Sequence, residues 1–262
     1  MTKLRLDVLL TQKGLVESRA RAQALIMAGK VQVNGQPVIK AGTQVDETAE
    51  LELAQELPFV SRGGQKLAAG LDAFTLDPAG LVCADVGAST GGFTDVLLQR
   101  GAARVYAIDV GYGQLAWKLR QDPRVTVMER TNARYLETLP EPVHLVTIDA
   151  SFISLQKLLP TVILWFAGEG RLVTLVKPQF EAGKNQVGKG GVVRDKAIHR
   201  QVLTSTINYA RTLNLTLLDG IISPITGPAG NHEFLLYFGR QISVPPVDDT
   251  AVLEKCLDQL AG

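Results

Sequence analysis

The chain has 262 residues, of which 46% are hydrophobic and 20% charged, and its formal net charge is +1. This length predicts one large and one small domain, and the composition is typical of a soluble globular protein. Two cysteines cannot form a disulfide framework, which favours a reducing, cytoplasmic location. The longest apolar run, residues 158–167, contains Pro160 and is too short to cross a bilayer, which argues against a membrane protein.

Charge divides the first sixty residues into two parts. The first forty carry seven lysines and arginines against two acids, a local charge of +5, whereas the next twenty carry five acids and no base. Apolar residues at helical spacing predict two short helices, with Ser18 as the N-cap of the second and Gly29 as its stop. The alternation that follows, with Asn34 and Gly35, predicts a β-hairpin. These residues therefore form a small α+β module with a basic face.

Pro58 marks a domain boundary, because a proline disfavours helix at the preceding residue and the acidic run ends there. We expect one domain at residues 1–57, a linker at 58–60 and a second domain at 61–262. Apolar runs and helical patterns then alternate, which predicts an α/β domain with a mostly parallel sheet. The last two strands have no helix between them and are expected to pair antiparallel at one edge. The predicted helices lie at residues 114–121, within residues 155–166, and at residues 196–213.

Two tryptophans lie on apolar faces of these helices, and we expect Trp117 and Trp165 in the core. The three histidines, His144, His199 and His232, share no metal-ligand spacing. The sequence therefore predicts no metal site.

A glycine-rich turn at residues 85–94 lies between an apolar strand and a helical pattern, and such a turn lets backbone N–H groups approach a ligand. It has Ser89 where the dinucleotide fingerprint requires glycine, and an acid precedes it, so a cationic ligand such as S-adenosylmethionine is favoured over a pyrophosphate. Asp109 ends the next strand, where an acid takes ribose hydroxyls, and Asn132 and Ala133 are placed to flank an adenine. The expected cofactor contacts are Asp85, Gly87, Ala88, Ser89, Thr90, Gly91, Gly92, Phe93, Asp109, Asn132, Ala133 and Asp149.

Two charged residues, Asp149 and Lys177, end later strands of the predicted sheet. Each alone is equally compatible with a loop charge or a structural ion pair, but the carboxyl ends of parallel strands share one cleft, so together they indicate function. The basic, glycine-rich residues 183–191 follow directly. We expect a loop that closes on RNA there, with a plain flexible connection as the alternative.

The runs at residues 5–7, 18–22 and 26–35 resemble the S4 RNA-binding domain. That resemblance implies that basic side chains of the helical face contact phosphates, which position RNA without reading its sequence. A solvated charged face is the simpler alternative. The RNA-binding residues expected in the two domains are Arg5, Arg19, Arg21, Lys30, Arg62, Lys184 and Lys189.

Four residues fall in the order and local contexts of the Lys-Asp-Lys-Glu tetrad of FtsJ-like ribose 2′-O-methyltransferases. They are Lys66, Asp149, Lys177 and Glu233. The chain is most similar to the TlyA family, also called hemolysin A, in runs at residues 60–64, 85–94, 109–115, 129–134, 149–154, 176–180 and 227–233. The resemblance implies a Rossmann-like class I methyltransferase domain with a seven-stranded sheet. It further implies S-adenosylmethionine as cofactor and cytidine 2′-hydroxyls of 16S or 23S ribosomal RNA, within ribosomal subunits, as substrate.

The resemblance also assigns roles to the tetrad. Lys177 is expected to act on the 2′-hydroxyl either as a base or as a stabilising cation, with Asp149 orienting it. Lys66 and Glu233 are expected to hold the ribose and each other. Two rival functions stay open: a cytolysin, which no amphipathic membrane segment supports, and an RNA-binding chaperone with a degenerate methyltransferase fold, which the complete tetrad argues against. The oligomeric state is left open.

Overall fold

The computed structural model describes residues 3–53, 58–243 and 247–260. The chain divides into two compact units, Met1–Leu57 and Pro58–Gly262, here called the first and second units. The expected end of the first domain at residue 57 lies outside the described residues, as does the side chain of Lys184.

The first unit consists of two short helices and small antiparallel sheets. Its elements are β1 (Lys3–Arg5), α1 (Leu6–Gln12), α2 (Arg19–Met27), β2 (Val31–Val33), β3 (Gln36–Pro37), β4 (Gln44–Asp46) and β5 (Leu51–Leu53). The Ser18 side chain accepts a hydrogen bond from the Arg21 backbone N–H, which confirms it as the N-cap of α2. Asn34 and Gly35 both have positive φ, 50° and 74°, as a two-residue hairpin turn requires. The predicted hairpin is therefore confirmed.

The second unit alternates strands and helices. Its elements are α3 (Gly63–Ala73), β6 (Val82–Val86), α4 (Gly92–Gln99), β7 (Arg104–Ile108), α5 (Trp117–Arg120), β8 (Val125–Met128), β9 (Val143–Ile148), α6 (Leu159–Val162), β10 (Phe166–Val176), α7 (Pro178–Glu181), α8 (Lys196–Thr212), β11 (Leu215–Ile222), β12 (Phe234–Arg240) and α9 (Asp249–Leu257). Within the described residues, seven strands form one sheet in the order β11-β12-β10-β9-β6-β7-β8. The α/β class and the edge hairpin are confirmed.

The sheet direction determines where the site lies. Strands β10, β9, β6, β7 and β8 run parallel, whereas β12 is antiparallel to both β10 and β11. Val176, the last residue of β10, pairs with Phe234, the first residue of β12. The start of β12 therefore lies at the same sheet edge as the carboxyl ends of the parallel strands, which brings Glu233 next to the end of β10.

One predicted helix is wrong in extent. The helix expected at residues 114–121 shrinks to α5, because Ala116 is extended, with ψ 139°, and its N–H bonds to the Thr90 carbonyl. Trp117 is consequently 74% exposed and not in the core, whereas Trp165 is buried as expected. The helix expected within residues 155–166 is α6, which has a 3-10 turn on either side.

None of the helices in the described part of the chain has the length and apolar character needed to span a bilayer. Among the same residues, no group of three or more histidine, cysteine and acidic side chains is placed to hold a metal ion.

Candidate active site

The turn between β6 and α4 depends on glycine at two positions. Gly87 and Gly91 have φ of 84° and 96°, values that side chains disfavour. A Cβ at Gly87 would lie 2.7 Å from the carbonyl oxygen of Asp149, so only glycine allows the turn to contact the end of β9. Gly91 instead packs against the side chains of Leu115 and Leu119. The turn is therefore fixed from both sides.

Asp109, directly after β7, holds the turn by hydrogen bonds to its backbone. Its two carboxylate oxygens accept hydrogen bonds from the backbone N–H groups of Ser89, at 2.8 Å, and Gly111, at 2.6 Å. It lines a cavity of about 480 Å³, here called the nucleoside cavity, whose other walls include the apolar side chains of Ile108 and Leu158. The expected cofactor residues that line this cavity are Gly87, Ser89, Asp109, Asn132, Ala133 and Asp149.

A larger cavity of about 750 Å³, here called the catalytic cavity, adjoins the first, since Gly87, Ser89, Asp149, Ser151 and Phe152 line both. The structure brings all four tetrad residues into its wall. The expected residues that line it are Arg62, Lys66, Gly87, Ala88, Ser89, Thr90, Gly92, Phe93, Asp149, Lys177 and Glu233.

Asp85 does not face either cavity among the described residues. It is fully buried under the turn, where its carboxylate accepts hydrogen bonds from the hydroxyls of Thr94, at 2.7 Å, and Thr147, at 3.2 Å. Burial raises the pKa of Asp85 to about 7, with a smaller contribution from the charge of Asp149. The expectation that its charge lies next to a cationic ligand therefore needs correction: Asp85 supports the turn from below.

The tetrad forms two ion pairs. Lys66 Nζ lies 2.5 Å from Glu233 Oε2, and both side chains are almost completely buried. Lys177 Nζ lies 2.6 Å from Asp149 Oδ1, again with the lysine buried. Lys66 lies in α3, Asp149 and Lys177 directly follow β9 and β10, and Glu233 directly precedes β12, so the site depends on the pairing of these three strands.

Ser151 and Phe152 are among the residues of this cavity that the sequence did not single out. Ser151 Oγ accepts a hydrogen bond from Lys177 Nζ at 2.8 Å. Phe152 is 90% exposed with a φ of 63°, and its ring centroid lies 5.0 Å from that of Phe180. Both residues lie inside the run 149–154 that carries the family resemblance, but a serine and a phenylalanine there give no chemical signal of their own.

The glycine-rich residues 183–191 are attached to the loop before β12. The Asn231 side chain accepts from the Val193 backbone N–H and donates to the Gly191 carbonyl, both at 2.9 Å. Lys189 is exposed, and the backbone of Lys184 starts a 3-10 turn. Closure of this segment on RNA stays a prediction.

In the first unit, the expected RNA-binding residues Arg5, Arg19, Arg21 and Lys30 are all exposed. Two of them are held by one buried carboxylate, Asp7. Arg5 donates two hydrogen bonds to it, at 2.9 and 3.0 Å, and Arg19 donates one at 2.9 Å. These guanidinium groups are therefore fixed in place before any ligand arrives.

Comparison with known proteins agrees with this geometry. Residues 59–240 match the model of the FtsJ-like methyltransferases, and residues 4–51 match that of the S4 domain. The chain is 48% identical to the 16S/23S rRNA (cytidine-2′-O)-methyltransferase TlyA of Mycobacterium tuberculosis, covering 91% of each protein. It is 40% identical to hemolysin A of Brachyspira hyodysenteriae, covering 90% of this chain and 99% of that protein.

A solved structure from Streptococcus thermophilus that bears a hemolysin name is similar along nearly the whole chain. It superposes with a TM-score of 0.76 at 42% identity, covering 99% of this chain and 96% of the other.

Proposed function

The chain belongs to the FtsJ-like methyltransferase family and carries an S4 domain, and from this premise we propose that it methylates the 2′-hydroxyl of cytidine in ribosomal RNA. The observation that carries the proposal is the pair of buried lysine–carboxylate contacts in a cavity that adjoins a nucleoside-sized one. We further propose that ribosomal subunits in the cytoplasm are its substrates. The name and activity of the TlyA relative support the choice of RNA and nucleotide.

The nucleoside cavity fits the cofactor of this family, S-adenosylmethionine. The backbone of the glycine turn lines this cavity at Gly87 and Ser89, and it packs closely on the end of β9 because Gly87 has no Cβ. Asp109 keeps free lone pairs for ribose hydroxyls, and Ile108 and Leu158 supply apolar walls for a base. When bound, S-adenosylmethionine supplies an electrophilic methyl group on a positively charged sulfur.

The two lysines supply positive charge where a ribose hydroxyl becomes an alkoxide-like nucleophile. Lys66 has one contact among the described residues, to Glu233, so its other N–H donors are available to a ribose. Lys177 Nζ contacts three oxygens, those of the Asp149 carboxylate, the Ser151 hydroxyl and the Asp149 carbonyl. An ammonium group donates to all three, which supports the role of a stabilising cation for Lys177 in the resting protein.

The proposal is tested with purified protein, S-adenosylmethionine tritiated in the methyl group, and isolated small and large ribosomal subunits. We expect label in ribosomal RNA, and nuclease digestion is expected to yield 2′-O-methylcytidine. Label on a base, or no label on either subunit, would overturn the proposal. A parallel erythrocyte lysis assay is expected to be negative, whereas lysis without RNA labelling would identify a cytolysin instead.

A further inference from the structure

Lys177 can act on a 2′-oxygen only if its amino group points in one direction. A lysine side chain rotates freely about its terminal bonds, and a single acceptor leaves the remaining two N–H directions undefined. Two short acceptor contacts, together with the bond to Cε, define the fourth tetrahedral direction of the nitrogen. The number of short contacts at Nζ therefore determines whether Lys177 is preorganised.

Two of the three contacts at Nζ are short. Asp149 Oδ1 lies at 2.6 Å and Ser151 Oγ at 2.8 Å, whereas the Asp149 carbonyl lies at 3.5 Å, the limit of a hydrogen bond. The long contact leaves the third direction of Nζ weakly occupied. Because Lys177 and Ser151 both line the catalytic cavity, a substrate oxygen can take that direction.

We propose that Ser151 is a positioning residue for methyl transfer, which with Asp149 orients the Lys177 amino group toward the 2′-oxygen. This inference rests on the proposed function. It holds whether Lys177 donates to the oxygen as an ammonium or accepts its proton as an amine, because both forms keep two N–H donors for Asp149 and Ser151. The backbone supports the same role, since Asp149 N–H bonds to the Val86 carbonyl at 2.9 Å and fixes the start of this segment.

The test compares Ser151→Ala, which removes the acceptor, with Ser151→Thr, which keeps a hydroxyl. Ser154→Ala is the matched control, because Ser154 lies in the same segment and bonds to Glu181 rather than to Lys177. We expect Ser151→Ala to lower kcat by about 10- to 100-fold, as misplacement of a reacting group does. KM for ribosomal subunits and the calorimetric affinity for S-adenosylmethionine are expected to stay within about threefold. Ser151→Thr is expected to recover most of kcat and Ser154→Ala to match the wild type.

A double-mutant cycle completes the design. If Ser151 acts through Lys177, Ser151→Ala adds no further loss to Lys177→Ala. A normal kcat in Ser151→Ala, an equal loss in cofactor affinity, or an additive double mutant would overturn the inference. A wild-type protein that labels no ribosomal RNA would instead overturn the proposed function, so the two failures are distinguishable.

Discussion

Asp7 in the first unit and Asp85 in the second are both carboxylates with no exposed surface, yet their surroundings differ. Asp7 contacts two arginines and the Gln23 amide, whereas Asp85 contacts two threonine hydroxyls. The pKa of Asp7 is lowered well below its ordinary value, mainly by the hydrogen bonds from Arg5, against the opposing effect of burial. For Asp85 burial dominates, and the pKa rises to about 7.

This difference teaches what a buried acid does in each unit. Asp7 is charged and holds guanidinium groups whose side chains stay 43% and 54% exposed, so positive charge faces outward. Asp85 pairs with no cation among the described residues, and it supports the glycine turn. Glu233 is a third case, because it and its partner Lys66 are both buried and line the catalytic cavity. The partner of each carboxylate, and not its burial, therefore decides whether it serves binding, structure or chemistry.

The largest expected effect is the loss of methylation when an ion pair of the catalytic cavity is removed. Lys177→Ala removes the cation at the catalytic cavity, and we expect kcat to fall by about 10³-fold or more. Affinity for S-adenosylmethionine, measured by calorimetry, is expected to stay within about threefold of the wild type. Near-normal turnover in the tritium assay would show that Lys177 is not required for the reaction.

Breaking the Lys66–Glu233 pair is expected to lower the stability of the protein. Glu233→Ala leaves the Lys66 ammonium buried without a partner, which costs about 3–5 kcal/mol in the free energy of unfolding measured with urea. The matched control is Glu254→Ala, because Glu254 pairs with Arg200 at an exposed site, where the loss is about 1 kcal/mol or less. Equal losses in the two variants would mean that burial of the Lys66–Glu233 pair has no energetic consequence.

The pH dependence of stability tests whether burial raises the pKa of Asp85. Between its ordinary pKa of 3.8 and the raised value of about 7, folded Asp85 keeps a proton that the unfolded chain releases. The contribution of Asp85 to stability therefore falls as pH rises from about 4 to about 7, by at most about 1.4 kcal/mol per pH unit. Asp85→Asn is expected to remove this slope when the free energy of unfolding is measured with urea at pH 5, 6, 7 and 8. If the free energies of wild type and variant changed with pH in parallel, the assignment would be contradicted.

The smallest expected effect tests the first unit. Asp7→Asn removes a negative charge, so net charge alone predicts tighter binding to RNA. We expect the opposite, about fivefold weaker binding, because Arg5 and Arg19 lose the negative charge and one of the two acceptor oxygens that order them. The matched control is Glu17→Gln, which makes the same charge change at an exposed residue of this unit and is expected to bind RNA at least as tightly. Filter binding to ribosomal RNA fragments at fixed salt measures both, and tighter binding by Asp7→Asn would favour net charge.

Much of the fold could be predicted because it depends on residues that are close together in the sequence. The turn signal at Asn34 and Gly35, the glycine turn before α4 and the alternation of strands and helices each depend on residues close in sequence. The helix expected at residues 114–121 is wrong in extent, because a non-local contact prevails there. The bond from the Ala116 N–H to the Thr90 carbonyl, for example, joins segments whose proximity no periodicity reports.

The candidate site divides in the same way. The tetrad came from motif resemblance, and the structure brings its members together at one cavity. The position of Asp85 before the turn suggests contact with a ligand, but its side chain contacts Thr94 of α4 and Thr147 of β9, and no local pattern reports these contacts. A serine gives no sign that it contacts Lys177, and the charge of Asp7 does not tell which of the several bases of the first unit it contacts.

The late position of β12 in the chain has a consequence for synthesis on the ribosome. The Lys66–Glu233 pair joins residues 167 positions apart. A nascent chain that has emerged only through α7 contains Lys66, Asp149 and Lys177 but not Glu233, the acid that pairs with Lys66. Since long-range contacts form only after the intervening chain has been made, the candidate active site is among the last parts of the second unit to be completed, and a chain truncated before Glu233 has no complete tetrad.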